Sequence, residues 1–280
     1  MIVITGATGA LNGATVEHLL TRVPAEEIGV SVRDVAKARS FADRGVRVRP
    51  GSYEDPAALR ESFEGADQVL LVSSNDPAAD GVALHRTAIE AAVAAGARRI
   101  LYTSHQNVRT DSSFAPARDH KATEEILAGS GVAWTSLRNG FYAHSLAWLL
   151  GPWRETGEIV APEDGPVSWT HREDAAEAAA VILAGRTVDG PVTITTPTAV
   201  TFDDLAALAA DRTGREVKRV VVDDERWVAD RIAAGTPEPM ARMLLTFFPA
   251  ARRGDFAETG PRLSELLGRE PRPVAAALAA

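Results

Sequence analysis

Gly6 and Gly9 interrupt an apolar run at the amino terminus and lead into a segment with helical spacing. Glycine at such a turn lets the backbone bend sharply and approach a bound group, and the first amides of the following helix offer unpaired donors at its positive end. The natural occupant is an anion such as a dinucleotide pyrophosphate, cradled by Gly6, Ala7, Thr8, Gly9, Ala10 and Leu11. A second chemical signal follows the next apolar run, where Arg33 stands with Lys37 one helical turn on. An acidic side chain at that place accepts from the ribose hydroxyls of NAD, whereas an arginine forks onto the 2′-phosphate of NADP. The charges favour NADP (NADPH), while Asp34 would serve NAD if the register shifted by one residue.

Three polar clusters stand where apolar runs stop: Ser73-Ser74-Asn75, Tyr102-Thr103-Ser104-His105 and Arg138-Asn139-Gly140-Phe141-Tyr142. Each reads equally well as the lining of a crevice or as turn-forming chemistry. The six histidines, His18, His85, His105, His120, His144 and His171, are scattered rather than spaced as ligands, so no metal is expected. With no cysteine the chain has no thiol nucleophile and no disulfide, and redox chemistry must run on a bound cofactor. No Gly-x-Ser-x-Gly elbow supports a hydrolase.

The elements that must position these groups alternate. Strand-like runs at 2–5, 28–33, 46–49, 68–73, 99–104 and 133–138 are separated by alanine- and leucine-rich helical segments, with helices also expected at 172–184, 201–213, 224–234 and 238–247. Such alternation predicts an α/β fold, a Rossmann-type doubly wound parallel sheet with ligands at the carboxyl ends of its strands. Glycines and prolines between 151 and 166 mark a boundary. The expected organisation is a dinucleotide-binding domain over 1–150, completed by 171–198, and a smaller discontinuous α+β substrate lobe from 151–170 and 199–280. The residues from Pro271 read as a loose tail. A formal charge of −8 disfavours nucleic acid, and the lack of a long apolar run argues against a membrane and for a cytoplasmic monomer or homodimer.

Thr5-Gly6-Ala7-Thr8-Gly9, Val32-Arg33-Asp34-Val35-Ala36-Lys37-Ala38, Leu70-Leu71-Val72-Ser73-Ser74, Tyr102-Thr103-Ser104, His120 with Thr123-Glu124, and Leu137 to Tyr142 together resemble the NmrA-like branch of the atypical short-chain dehydrogenases. Within it the similarity is to the type 2 NADPH-dependent quinone oxidoreductases and the triphenylmethane reductases. The resemblance implies a pyrophosphate on Gly6 to Leu11, a 2′-phosphate on Arg33, and a cofactor flanked by Ser73, Ser74 and Asn75, by Thr103, and by Leu137, Arg138, Asn139, Gly140, Phe141 and Tyr142. Trp169 to Asp174 resembles a further cofactor-side segment. Two positions depart from the pattern: Asn12 stands where a third glycine is expected, and Ser52 where many relatives carry an acid.

Ordinary short-chain dehydrogenases pair a tyrosine with a lysine four residues on; here Pro116 and His120 occupy those places. A planar electrophile such as a quinone or a cationic triarylmethane dye accepts hydride with little need of a strong acid, so positioning can suffice. Tyr142 and His120 are the catalytic candidates, His120 because imidazole titrates near neutrality, although a helix cap or a backbone bond would account for it equally. Phe141, Trp148, Trp153 and Trp169 are available as pocket walls or as core. A non-catalytic sensor of the cofactor's redox state and a specialised biosynthetic reductase or epimerase are the alternatives.

Overall fold

The computed structural model describes every residue of the chain apart from Asn75, Pro77, Ala78, Thr187 and Ala280. Its strands are β1 (Ile2–Thr5), β2 (Ile28–Val32), β3 (Arg47–Pro50), β4 (Gln68–Leu71), β5 (Arg99–His105), β6 (Ala133–Asn139), β7 (Glu158–Ala161), β8 (Gly190–Ile194) and β9 (Lys218–Val221). Seven form one sheet in the order β3-β2-β1-β4-β5-β6-β8. All its neighbours are parallel.

Parallel neighbours need crossovers, and the crossover helices cover both faces. Alternation along the strands sends Ile4, Leu70, Leu101, Leu137 and Val192 to one face, packed with Val16 and Leu19 and with the alanines of helix Arg172–Leu183. Val3, Val69, Leu71, Ile100 and Tyr102 go to the other, against Leu59, Ala88, Ile89 and Leu127 from helices Pro56–Ser62, Gly81–Ala94 and Ala115–Ala128. Truncating a fully buried leucine in either layer, such as Leu101, costs about 2–5 kcal/mol. The order reverses between β1 and β4, so a crevice opens there at the carboxyl ends of the strands.

β7 and β9 form a separate parallel pair, and an aromatic core with Trp153, Trp169, Phe202, Trp227, Phe247 and Phe248 gathers with them. β7 is not legible in the sequence: it is four residues long, lies between Gly157 and Pro162, and is completed only by β9, far along the chain. The helical segment expected between the second and third strand-like runs is a 3-10 turn, Val35–Ala38, followed by a short helix, Arg39–Ala42.

The tail from Pro271 is docked rather than loose. Asp174, fully buried, accepts from Arg269 Nη2 (2.8 Å), from the Arg272 backbone N–H (2.7 Å) and from the Arg272 guanidinium. Arg154 Nη2 donates to the Leu278 carbonyl at 2.5 Å. Among the described residues, no helix is long and apolar enough to cross a membrane.

Candidate active site

The amino-terminal turn is built around a residue that only glycine suits. Gly6 has φ +64°, and a Cβ there would lie 2.6 Å from Val72 Cγ1. Val72 is held close because its N–H donates to Thr5 Oγ1 (2.9 Å) and its carbonyl accepts from Tyr53 OH (2.9 Å). The missing side chain therefore lets the first turn and the end of β4 meet at the crevice. Helix Ala10–Leu19 then starts without a side-chain cap, and among the described residues no group accepts from the amides of Ala10, Leu11 or Asn12. Side chains of Asp34, Asp55, Asp80, Thr201 and Asp223 cap five other elements, while Ala115–Ala128 and Arg172–Leu183 also start without a side-chain cap. Thr8, Gly9 and Ala10 are exposed, so the bare amides face outward, as an anion cradle requires.

The Asn12 departure is absorbed locally. Asn12 is buried and its Nδ2 donates to the Thr5 carbonyl at 2.8 Å, bracing the turn from beneath. Gly13 takes over the close approach: a Cβ there would sit 2.9 Å from the Ala7 carbonyl oxygen. At the end of β2, Asp34 caps the following turn by accepting from the Ala36 N–H (3.0 Å). Arg33 and Lys37 are exposed, and no described ion pair or side-chain hydrogen bond engages either. The carboxylate that would favour NAD is spent on the backbone, while both cations are free for a phosphate. Ser52 Oγ accepts from the Glu54 N–H at 3.3 Å.

The residues from 137 to 142 divide. Leu137 is buried in the sheet core, so its side chain does not reach the crevice. Arg138 is bound to the buried carboxylate of Glu124 through Nε (3.0 Å) and Nη2 (2.6 Å), and Ser104 and Ser136 donate to the same carboxylate. Its charge is committed to the protein rather than to a cofactor. Phe141 is packed among Phe114, Trp169, Phe247 and Phe256. Trp153 and Trp169 are likewise core rather than pocket wall, whereas Trp148 is 57% exposed and meets the His144 ring edge-on.

Asn139 and Tyr142 do converge at the end of β6. Asn139 is buried and its Nδ2 donates to Tyr142 OH (3.1 Å), while its Oδ1 has no partner. The Gly140 N–H donates to the Ile194 carbonyl (2.8 Å), fixing the turn between them. Because the Tyr142 oxygen accepts from Asn139, the phenolic proton is free to donate. Burial pushes this phenol up to about 12, so it serves as a neutral donor. At the end of β4, the Ser73 N–H donates to Thr103 Oγ1 (2.8 Å), so Thr103 positions Ser73. Asn75 lies outside the described residues.

His120 corrects one expectation. Its Nδ1 is 2.7 Å from Tyr102 OH, and burial, with His105 and His85 nearby, holds it well below the usual histidine range. It is therefore a neutral imidazole at physiological pH and not a proton reservoir titrating near neutrality. His105 stacks beside it with ring centroids 6.3 Å apart, and β5 to β6 pairing puts His105 opposite Asn139. The fold thus brings His105, His120, Asn139 and Tyr142 to the ends of adjacent strands. In the sequence Tyr102 and His105 stand only within the polar cluster at the end of β5, and His85 only among the scattered histidines, with no individual role for any of them. Nothing local distinguishes them, since their partners lie on other elements. Among the described residues no three His, Asp or Glu gather closely enough to hold a metal ion.

The uncapped amides, the orphaned Asn139 Oδ1 and the two free cations suit a dinucleotide with a 2′-phosphate. The NmrA-like family model matches residues 1–272. Quinone oxidoreductase 2 of Escherichia coli (strain K12) is 35% identical over 270 residues, 96% of this chain and 94% of the relative. The crystal structure of the NADPH-dependent quinone oxidoreductase from Escherichia coli complexed with NADPH has a TM-score of 0.92 at 33% identity, covering 100% of this chain and 99% of that one. That of Citrobacter sp. triphenylmethane reductase complexed with NADP(H) has a TM-score of 0.91 at 31% identity, with the same coverage of 100% and 99%. The chain belongs to the NmrA-like family.

Proposed function

We propose that this chain is an NADPH-dependent oxidoreductase that reduces a quinone or similar planar electrophile in the crevice at the carboxyl ends of β1, β4, β5 and β6. The observation that carries the reading is the bare helix start at Gly9 beside the unpaired Arg33 and Lys37, with Asp34 already used as a cap. Gly6 to Leu11 hold the pyrophosphate, Arg33 and Lys37 the 2′-phosphate, and Ser73 and Ser74 flank the inner ribose. Asn139 Oδ1 is the acceptor available to the carboxamide once the ligand is in place.

When bound, the dihydronicotinamide supplies two electrons and one hydrogen as hydride; a solvent proton completes reduction of a quinone to its hydroquinone. The chain's own contribution is geometric and electrostatic. Asn139 turns the Tyr142 proton toward the crevice, and Tyr142 and His120 donate hydrogen bonds to the oxygen on which charge develops. Neither group needs to ionise, which suits an electrophile that needs no strong acid. The protein acts on a small molecule in the cytoplasm, as a monomer or homodimer.

The direct test follows absorbance of the reduced nicotinamide with purified protein, NADPH or NADH, and a panel of quinones, dyes and enones. Turnover of a quinone with preference for NADPH is expected. Tight NADPH binding with no turnover of any acceptor would instead make the chain a redox sensor.

A further inference from the structure

Between helices Gly81–Ala94 and Ala115–Ala128, a hydrogen-bond chain runs from the end of β4 to His120, and its polarity can be worked out from one fixed donor. The Ser74 backbone N–H donates to His85 Nε2 at 2.7 Å, and a backbone amide has no other role. His85 is buried and held down to about 4, so it is neutral and carries its one proton on Nδ1. That Nδ1–H donates to Thr123 Oγ1 (2.9 Å), and the Thr123 hydroxyl in turn donates to the Asp119 carbonyl (2.8 Å).

Tyr102 OH lies 3.4 Å from the same His85 nitrogen and 2.7 Å from His120 Nδ1. Because His85 Nδ1 is already a donor, the phenol cannot donate to it. Its oxygen instead shares that Nδ1–H at the longer distance; Thr123 Oγ1 keeps one spare lone pair, but an imidazole nitrogen is the stronger acceptor and 2.7 Å suits a phenolic O–H donating to nitrogen, so the phenol's proton goes to His120 Nδ1. His120 must then hold its own proton on Nε2. No described residue bonds that nitrogen, and His120 is only partly buried. His105 beside it has the opposite form: its Nδ1–H donates to the Gln106 carbonyl (3.0 Å), so its Nε2 is a bare lone pair.

We infer that Tyr102 and His85 are positioning residues that fix His120 as the Nε2–H tautomer, so that the site selects planar acceptors carrying a lone pair on the reducible group, quinones and conjugated carbonyls, over cationic dyes. The selection rests on the reductase reading above; the tautomer does not. His120 donates a hydrogen bond and keeps its proton. Passing that proton on would require Tyr102 to release its own, and the phenol's complete burial opposes a phenolate. The hydroquinone proton comes from water.

The experiment is a long-range proton–nitrogen NMR spectrum of the full chain labelled with 15N-histidine, recorded for wild type, for His120→Gln to assign the signal, and for Tyr102→Phe. Wild type should show His120 protonated on Nε2 and bare on Nδ1, and Tyr102→Phe should give a mixture of the two forms. In parallel, Tyr102→Phe should lower kcat for a quinone about tenfold with KM unchanged. Its effect on a cationic triarylmethane dye should be smaller. A wild-type spectrum with the proton on Nδ1 overturns the inference, and it decides the matter even if the variant does not fold. An unchanged tautomer in Tyr102→Phe removes the phenol's role, and equal losses for quinone and dye remove the selection. Failure to oxidise NADPH with any acceptor, the tautomer being as stated, would sink the reductase reading and the selection while leaving the hydrogen-bond chain intact.

Discussion

Replacing Arg33 by alanine isolates the preference for the phosphorylated cofactor. Arg33 is exposed and its side chain is bound to no described residue, so its loss disturbs no described internal contact. A charge-assisted, forked contact between guanidinium and phosphate is worth about 1.5–3 kcal/mol. Solvent screening at this exposed site argues for the lower part of that range. At about 1.4 kcal/mol per factor of ten, NADPH should bind roughly tenfold more weakly, approaching a hundredfold when Lys37 is removed as well. NADH, which lacks the phosphate, should be almost unaffected because Asp34 remains locked on the Ala36 amide. Calorimetric titration of wild type, Arg33→Ala and Arg33→Ala/Lys37→Ala with both nucleotides, at low and high salt, reads this directly. Equal weakening of NADPH and NADH, or no weakening of either, would refute the assignment of the 2′-phosphate to this corner.

Gly6→Ala forces a Cβ into Val72 at a left-handed backbone position, so NADPH binding should be lost or weakened at least about tenfold while the far-UV circular dichroism stays near wild type; a full-affinity variant would show that the turn is not the cradle. Asp174→Ala leaves Arg269 and Arg272 without their shared carboxylate, and because both are partly exposed the cost should be about 1–3 kcal/mol, read as a lowered Tm and faster proteolysis near residue 270. The pH dependence follows from the buried histidines. His85 and His105 fall from 6.5 to about 4 on folding, so below 6.5 the unfolded chain gains protons that the folded one refuses. Their contribution is complete above pH 6.5 and is lost as the pH falls toward 4; His85→Gln should flatten the slope of Tm against pH over that window, and an unchanged slope would contradict it.

The doubly wound sheet is written in the sequence because it depends on short-range patterning: apolar strands such as Ile2 to Thr5, alanine- and leucine-rich crossovers, and glycine stops. The phosphate corner is equally legible, since Gly6, Gly9, Arg33 and Lys37 act through the backbone turn and the strand end on which each sits. Only the tertiary structure decided how the polar side chains divide. Arg138 and Thr103 resemble ligands in sequence, yet one is bound to Glu124 and the other to Ser73, each on a different element. Asp34 could be assigned to the cap only when its carboxylate was seen on the Ala36 amide, and β7 exists only because β9 returns beside it. The state of His120 is the furthest removed from local sequence. It is set by burial and by hydrogen bonds that run through Tyr102 and His85 to the Ser74 amide, and such a chain is a property of packing between elements rather than of any one segment.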